Sequence, residues 1–134
     1  MKALLTFCLL TVIISHGYPQ DTLRYVDYKL PPEQFSVWDS IQENWFKETY
    51  WNCLKAYKLK MTCAGCHSIF ARVQFYINSE GKISQYKVIQ SRSCGGEMSK
   101  ELLDCFLKPY LEIIFPAELR NMEIETRLGT GLSC

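Results

Sequence analysis

The residues of this sequence with the clearest chemical potential are Cys63, Cys66 and His67, which form a Cys-x-x-Cys-His run. This spacing matches the c-type haem attachment motif, in which two thiols form thioethers and the adjacent histidine ligates the iron. A second axial ligand could come from Met61, Met98 or Met122, although Met61 lies too near in sequence to reach the opposite face of the haem easily. Haem c is therefore one candidate cofactor, and an electron-transfer protein is one candidate function.

Two other chemistries use the same residues. A redox dithiol needs a helix N-terminus or a cation to lower one thiol pKa, and its usual setting is a strand-to-helix step. Here Lys58 and Lys60 are close, but the pair precedes a strand-like pattern that begins at Ile69. Zinc could be held by the two thiols, the histidine and one further cysteine, although disulfide formation competes with it in an oxidising compartment. We expect no enzymatic activity.

The N-terminal segment is predicted to be a signal peptide covering residues 1–17. Lys2 precedes an apolar run from Ala3 to Ser15, and small residues then lead to a cleavage point after Gly17. The run is shorter than the about 20 apolar residues of a transmembrane helix. We therefore expect a periplasmic or secreted protein with no stable membrane span after cleavage.

Export would place the remaining cysteines in an oxidising compartment, where thiols pair. Six cysteines allow fifteen disulfide connectivities, and the sequence does not choose among them. Structural disulfides are the simplest interpretation for the whole set, including the two cysteines of the haem motif. The candidates are Cys53, Cys63, Cys66, Cys94, Cys105 and Cys134.

The charge balance argues against polyanionic partners. Removing residues 1–17 leaves 14 basic and 14 acidic residues, so there is no surplus of cations for nucleic acid or anionic lipid. Hydrophobic residues make up 48% of the sequence and aromatic residues 13%, which is typical of a folded protein. No phosphate-binding loop or catalytic carboxylate pair stands out, so we expect binding and no catalysis.

The first half is predicted to contain an extended arm and one amphipathic helix. Residues Tyr18 to Leu30 mix aromatic and charged side chains and stop at two prolines. Apolar residues then recur at helical spacing from Pro32 to Tyr57, with a possible break near Thr49 to Trp51. The aromatic residues of this helix are interpreted as core.

The second half begins with a hairpin. Alternating apolar residues from Ile69 to Ile77 predict a strand with one buried face, and the turn ending at Gly81 leads to a return strand. Ile83 and Val88 are five residues apart in that return strand, so in a regular strand their side chains would point to opposite faces. Either a bulge falls between them or Ile83 packs with the turn.

A helix capped by Ser99 follows, and Pro109 should kink it or mark its end. Alternation from Met122 to Leu128 then predicts a third strand, and the Gly-containing tail to Cys134 is expected to be tied down by a disulfide. The predicted fold class is α+β: a short antiparallel sheet of hairpin and third strand, packed by the C-terminal helix and preceded by an N-terminal amphipathic helix. Residues 18–60 and the cysteine-rich region 61–134 should pack as one unit.

The order of these elements resembles that of the C-terminal domain of the TonB family. The elements are the strand, the Asn-Ser-Glu-Gly turn ending at Gly81, the helix with Cys105, Phe115-Pro116 and the final strand. Related domains of bacterial gliding-motility proteins are also similar. The resemblance covers about residues 69–128. Pro31-Pro32 is too short to be the Pro-rich spacer usual in TonB proteins, so energy coupling is not expected.

The resemblance implies a non-catalytic domain of the cell envelope that binds another envelope protein. In such domains an edge strand can accept a partner peptide as an added strand, because its unpaired backbone groups form the hydrogen bonds. By analogy the third strand is the candidate acceptor edge. The other possibility is that the N-terminal arm, or the strand's own charges, protects that edge. The candidate residues are Met122, Glu123, Ile124, Glu125, Thr126, Arg127 and Leu128.

Overall fold

The structure is a computed structural model that describes residues 22–60 and 68–131. Helices cover one face of a four-stranded sheet, so the α+β prediction is confirmed. The strands are β1 (Leu23–Val26), β2 (Ser68–Ile77), β3 (Ile83–Ser93) and β4 (Met122–Gly131). The helices are α1 (Pro32–Trp45), α2 (Trp51–Ala56) and α3 (Lys100–Glu112), with short 3-10 turns at Asp27–Lys29 and Ala117–Leu119.

The strand order is β1-β4-β2-β3, and the sheet is mixed. The β2–β3 and β2–β4 pairs are antiparallel, whereas β1 pairs with β4 in parallel. The prediction of a purely antiparallel sheet is therefore wrong. The sheet is mixed because the N-terminal arm adds to it as a fourth strand, parallel to β4.

The β2–β3 hairpin follows the predicted alternation. The odd-numbered residues from Ile69 to Ile77 are buried, and the even-numbered ones face outward. Ile77 pairs with Ile83 but Tyr76 pairs with Gln85, so Ser84 is an extra residue in β3 and the predicted bulge is confirmed. The register also shifts at Ile89, an irregularity that the sequence analysis did not predict.

Helical backbone runs from Pro32 to Ala56, as predicted to within one residue. The expected break is a π-helical turn over Phe46–Tyr50, which joins α1 to α2 without ending the helix. A π turn adds one residue to the helical repeat and so rotates the faces of the two flanking segments. It brings Tyr50 into the core, where the side chain is fully buried.

An aromatic cluster fills the space between helices and sheet. Trp45 of α1 contacts Phe106 edge-on at 5.3 Å between ring centroids, and Tyr110 stacks on Phe75 of β2 at 5.2 Å. The indole of Trp45 also donates a hydrogen bond to the Phe106 carbonyl at 3.0 Å. The interpretation of the helical aromatic residues as core is confirmed for Trp38, Trp45 and Tyr50, which are buried. It is wrong for Phe35, Trp51 and Tyr57, which are exposed.

Helix α3 starts as predicted, because the Ser99 hydroxyl accepts a hydrogen bond from the Leu102 amide at 3.2 Å. Pro109 lies inside this helix, and the helix continues past it to Glu112. A disulfide joins Cys105 of α3 to Cys53 of α2 and so fastens the two helices together.

The hairpin turn and the segment after α3 contact each other directly. The Phe115 amide donates a hydrogen bond to the Gly81 carbonyl at 2.7 Å. Gly81 has φ +79°, as expected for the turn glycine, and an added Cβ would lie 2.4 Å from the Phe115 carbonyl oxygen. Two of the sequence markers, the turn glycine and Phe115-Pro116, therefore meet at one tertiary junction.

Strand β4 is longer than the sequence analysis predicted. It continues through Gly129 to Gly131, so the first residues of the expected tail belong to the sheet and pair with Ser68 to Phe70. Gly129 has φ +111°, and a Cβ there would lie 2.2 Å from the Ile69 carbonyl oxygen. Only glycine fits at this point, because a side chain would clash with the backbone of β2.

Candidate functional site

The candidate acceptor strand, Met122 to Leu128, lies inside the sheet. It is paired with β2 along its whole length, and its other side pairs with β1 over Met122–Glu125. The prediction that this strand is the free edge is therefore wrong. Along those four residues the outer backbone groups are already used by the protein's own N-terminal arm.

Strand β1 covers β4 by parallel addition. Tyr25 lies opposite Ile124, and Arg24 lies opposite Glu123 with a side-chain ion pair of 3.4 Å. Just beyond β1, the Asp27 carboxylate accepts a hydrogen bond from the Thr126 hydroxyl at 2.7 Å. The sequence left two possibilities for the outer side of β4: binding of a partner peptide, or protection by the N-terminal arm. In the structure the arm protects it over Met122–Glu125.

The long free edge of the sheet is β3. It pairs with β2 on one side. In the described ranges 22–60 and 68–131 its other side is paired only at Ser93, which exchanges backbone hydrogen bonds of 2.9 and 3.1 Å with Gly96. In an antiparallel pair the backbone N–H and C=O groups of alternate residues point away from the partner strand. The edge therefore presents a row of outward backbone donors and acceptors, and residues Ser84 to Lys87 are all exposed.

One face of the sheet is not covered by any helix among the described residues. We call it the open face. Phe70, Arg72, Gln74 and Tyr76 of β2 lie on it, flanked by Glu123, Glu125 and Arg127 of β4. Pairing with β2 adds Gln85, Lys87, Gln90 and Arg92 of β3, all exposed.

The acidic side chains of the open face are already paired. Glu125 forms an ion pair with Arg72 at 3.1 Å, and Glu123 accepts a hydrogen bond from Gln74 in addition to its ion pair with Arg24. These interactions bind β1, β4 and β2 to one another. Because Glu123 and Glu125 are used in this way, neither carboxylate forms an ion pair with a cation of β3.

Arg127 lies over the Phe70 ring, with its guanidinium carbon 3.9 Å from the ring centroid. This is a cation–π geometry between β4 and β2. The charged residues of β4 therefore stabilise the open face of the sheet.

A shallow depression of about 270 Å³ crosses the open face from β1 to β3. Each residue of its lining has a polar group, and the lining contains side chains from all four strands. They are Arg24, Gln74, Tyr76, Gln85, Tyr86, Lys87 and Glu123. The free edge thus adjoins a polar surface that can take side chains of an added segment.

A second concavity, of about 400 Å³, lies between α1, the π turn and the end of α3. Its lining is largely apolar, with Ile41, Trp45, Ile113 and Ile114 among the contacts. Glu48 is the one carboxylate in this lining, and so the groove contains no carboxylate pair for acid–base catalysis.

The structure describes three of the six candidate cysteines. Cys53 and Cys105 are bonded to each other, and Cys94 is also disulfide-bonded. Cys63, Cys66, His67 and Cys134 lie outside the described residues, so the haem alternative stays a prediction. In the described ranges no three His, Cys, Asp or Glu side chains are grouped to hold a metal ion.

Burial raises the pKa of two core tyrosines. The pKa of Tyr50 rises to about 12 because its phenol is desolvated, and its hydroxyl donates a 3.3 Å hydrogen bond to the Ile69 carbonyl. Burial, with the negative charge of Asp27 as a smaller cause, raises the pKa of Tyr110 well above the usual value. Both phenols are neutral at physiological pH and act as core residues.

No helix in the described part of the chain is long and apolar enough to cross a membrane. No family model matches the chain, and no curated protein or solved structure matches it either. The fold and surface therefore define the class of protein directly: a disulfide-bonded α+β domain with one strand already added to its sheet and one long edge open.

The free edge at β3 was not predicted from the sequence. Its residues between Ile83 and Ser93 contain no acid, and they carry Lys87 and Arg92 on a largely polar strand. A strand with weak alternation and cations is typical of a sheet edge, and this was the available signal.

Proposed function

We propose that this protein is an exported, non-catalytic domain that binds another envelope protein by accepting an extended segment along the free edge of β3. The observation that carries this proposal is the edge itself. Strand β3 has 11 residues, and within the described part of the chain its outer side is paired only at Ser93, which bridges to Gly96. Backbone hydrogen bonds to such an edge do not depend on side chains, and pockets beside it supply selectivity.

The opposite edge of the same sheet supports this proposal. There the chain adds its own arm in parallel to β4, with only four residue pairs. The sheet therefore accepts a short segment from a distant part of the sequence as an additional strand. The longer β3 edge offers more backbone groups to an added segment than β4 offers to β1.

The signal-peptide pattern and the disulfides support an extracytoplasmic location, periplasmic or secreted. The resemblance of residues 69–128 to the TonB C-terminal domain supports the same functional class, since those domains bind peptides of envelope proteins. The position of β1 moves the proposed acceptor from β4 to β3.

The test is a screen of ten-residue peptides against the full-length exported protein, followed by NMR and amide hydrogen exchange of each complex. Protection concentrated in the β3 amides is the expected result. Peptides that instead protect β4 or the groove between α1 and α3 would contradict the proposal, and so would a library with no binder.

Two adjacent proline variants provide a matched control. Gln85 and Tyr86 are neighbours in regularly paired β3, so one amide points to β2 and the other points outward. Proline at the outward position removes an edge donor but leaves the hairpin intact. We compare Gln85→Pro with Tyr86→Pro by NMR. The variant whose spectrum shows that the hairpin is intact has its proline at the outward position, and this variant should lose peptide binding.

A further inference from the structure

We propose that the segment accepted by β3 carries an apolar–acidic–apolar triplet, with its apolar side chains beside Tyr86 and Val88 and its carboxylate beside Lys87. The triplet binds at the free edge, so this inference rests on the proposed function and specifies the chemistry of the partner. Three features of β3 define the triplet: where the chain closes the edge, which backbone groups point outward, and which face each side chain occupies.

The chain itself closes the edge at the end of β3. Ser93 exchanges backbone hydrogen bonds of 2.9 and 3.1 Å with Gly96. Glu97, the next residue, lines the same depression as Arg92. An added strand therefore has no place at this end. Among the described residues, no strand pairs with the outer side of β3 over residues 83–91, and this part of the edge remains for a partner.

Within that part, Tyr86 and Val88 direct their backbone groups outward. The Cys94 amide donates a hydrogen bond to the Ser68 carbonyl at 3.1 Å, so Ser68 directs its backbone groups toward β3. Strand β2 pairs with β4 without any register shift, so its other even-numbered residues do the same. Tyr86 and Val88 lie opposite odd-numbered residues of β2. Their amides and carbonyls therefore point away from β2 and can bond to an added strand.

The side chains of these two residues lie on the helix-covered face. Tyr86 pairs with Phe75 and Val88 pairs with Val73, and both β2 residues are buried on that face. Because β3 is the edge strand, the Tyr86 side chain remains 47% exposed and Val88 is only partly buried. Apolar side chains opposite Tyr86 and Val88 would cover this apolar surface and remove it from water.

Lys87 lies between them on the open face, where it pairs with Gln74. It is exposed, and no ion pair in the described part of the chain involves it. Glu123 lines the same polar depression as Lys87. That carboxylate is used elsewhere, because it forms an ion pair with Arg24 and accepts a hydrogen bond from Gln74. A carboxylate opposite Lys87 in an added strand therefore forms a favourable cross-strand pair.

The order of the triplet follows from the register. Tyr86, Lys87 and Val88 are consecutive and lie between the two register shifts of β3. Consecutive residues of an added strand alternate between the two faces of the sheet, as these three residues do. The triplet reads the same in both directions, so it fits a parallel or an antiparallel strand. A basic residue at its centre is disfavoured, because like charges directly opposite each other are destabilising.

The test uses capped ten-residue peptides in one Thr-rich host sequence, which differ only in a central triplet: Ile-Glu-Ile, Ser-Glu-Ser, Ile-Gln-Ile or Ile-Ile-Glu. Each favourable cross-strand pair should strengthen binding about two- to fivefold. Ile-Glu-Ile should therefore bind about tenfold more tightly than Ser-Glu-Ser, and about threefold more tightly than Ile-Gln-Ile at low salt. Ile-Ile-Glu has the same composition but should bind more weakly, because no register places both Ile side chains on the helix-covered face.

Variants of the protein test each contact. Lys87→Gln should bind Ile-Glu-Ile and Ile-Gln-Ile equally, whereas the charge-matched control Lys55→Gln, exposed on α2, should keep the preference. Lys87→Glu should prefer an Ile-Lys-Ile peptide, which also shows that this variant is folded. Tyr86→Thr should reduce the tenfold preference for Ile over Ser to about threefold. The control Tyr28→Thr, at an exposed tyrosine of the N-terminal 3-10 turn, should leave it unchanged.

Amide hydrogen exchange of each complex locates the bound peptide. New protection should appear at Tyr86 and Val88, while Ser93, which is already bonded to Gly96, should not change. If Ile-Glu-Ile binds no more tightly than the other three peptides but they protect β3 amides, the triplet is wrong and the edge function stands.

If no peptide protects the β3 amides, the proposed function fails together with the triplet. A second copy of the chain is the competing occupant of the edge. Protection of Tyr86 and Val88 that rises with protein concentration in the absence of peptide, together with a dimer in analytical ultracentrifugation, would overturn the inference.

Discussion

Gly81 joins the β2–β3 turn to the segment that follows α3, and the substitution Gly81→Ala tests how much stability this junction contributes. Its φ is +79°, a conformation that costs an alanine about 1 to 2 kcal/mol. An alanine Cβ would also lie 2.4 Å from the Phe115 carbonyl oxygen, well inside normal contact distance. Because that atom belongs to backbone, the turn and the Phe115 segment must move apart.

The magnitude follows from what the separation disrupts. The 2.7 Å hydrogen bond from the Phe115 amide to the Gly81 carbonyl is worth about 1 kcal/mol net. Phe115 is fully buried and stacks on Trp38 at 6.2 Å, and a partial loss of this packing costs about 1 kcal/mol more. With the backbone conformation included, Gly81→Ala should lower the free energy of unfolding by about 3 to 4 kcal/mol.

Gly95 provides the matched control. Its φ is +90°, but no atom lies within 4 Å of the position of an added Cβ, so Gly95→Ala has only the backbone cost. Urea unfolding followed by tryptophan fluorescence measures both variants. With a urea dependence of about 1.5 kcal/mol per molar, the midpoint should fall by about 2 M for Gly81→Ala and by about 1 M or less for Gly95→Ala. Equal midpoints would refute the proposed junction.

Three further predictions concern the core and its disulfide. Cys53→Ala/Cys105→Ala should lower the free energy of unfolding by about 4 kcal/mol, because the cysteines are 52 residues apart and the open chain gains loop entropy; a loss below about 1 kcal/mol in urea unfolding would contradict this. Tyr110→Phe should leave stability unchanged or raise it by up to about 1 kcal/mol, since its buried hydroxyl has no hydrogen-bond partner among the described residues; a clear destabilisation would count against this. Because burial raises the pKa of Tyr50 to about 12, the unfolded state loses its proton first, and stability should fall between pH 10 and about 12, by up to about 1.4 kcal/mol per pH unit. Burial also raises the pKa of Tyr110, which adds a decline of the same sign, so Tyr50→Phe should reduce the decline in unfolding curves measured at pH 8 to 12 without abolishing it; an unchanged slope would exclude the Tyr50 effect.

Much of the local structure could be predicted from the sequence because its causes are local. The alternation from Ile69 to Ile77 fixed the strand and its buried face, and the parity of Ile83 and Val88 led to the bulge at Ser84. The helix start at Ser99 followed from its hydroxyl, which caps the Leu102 amide. Each of these features depends on residues within a few positions of one another.

The free edge could not be predicted in this way. Alternation in Met122 to Leu128 indicates a strand with one buried face, but it does not say which strands lie on either side. The arm before Pro31 has only four residues in β1, too few for a strand pattern to be recognised. The position of β1 depends on its contacts with β4. Because β1 covers the outer side of β4, the candidate binding edge is β3 and not β4.

By itself, the sequence determined the fold class, the strand faces, the starts of the helices and the glycine at the hairpin turn. Hydrophobic periodicity and turn chemistry are properties of neighbouring residues, so these features can be read along the chain. Only the tertiary structure decided the order β1-β4-β2-β3, the Cys53–Cys105 disulfide and the open edge. These depend on segments as distant as Asp27 and Thr126, which are 99 residues apart and meet through a hydrogen bond that no local pattern specifies.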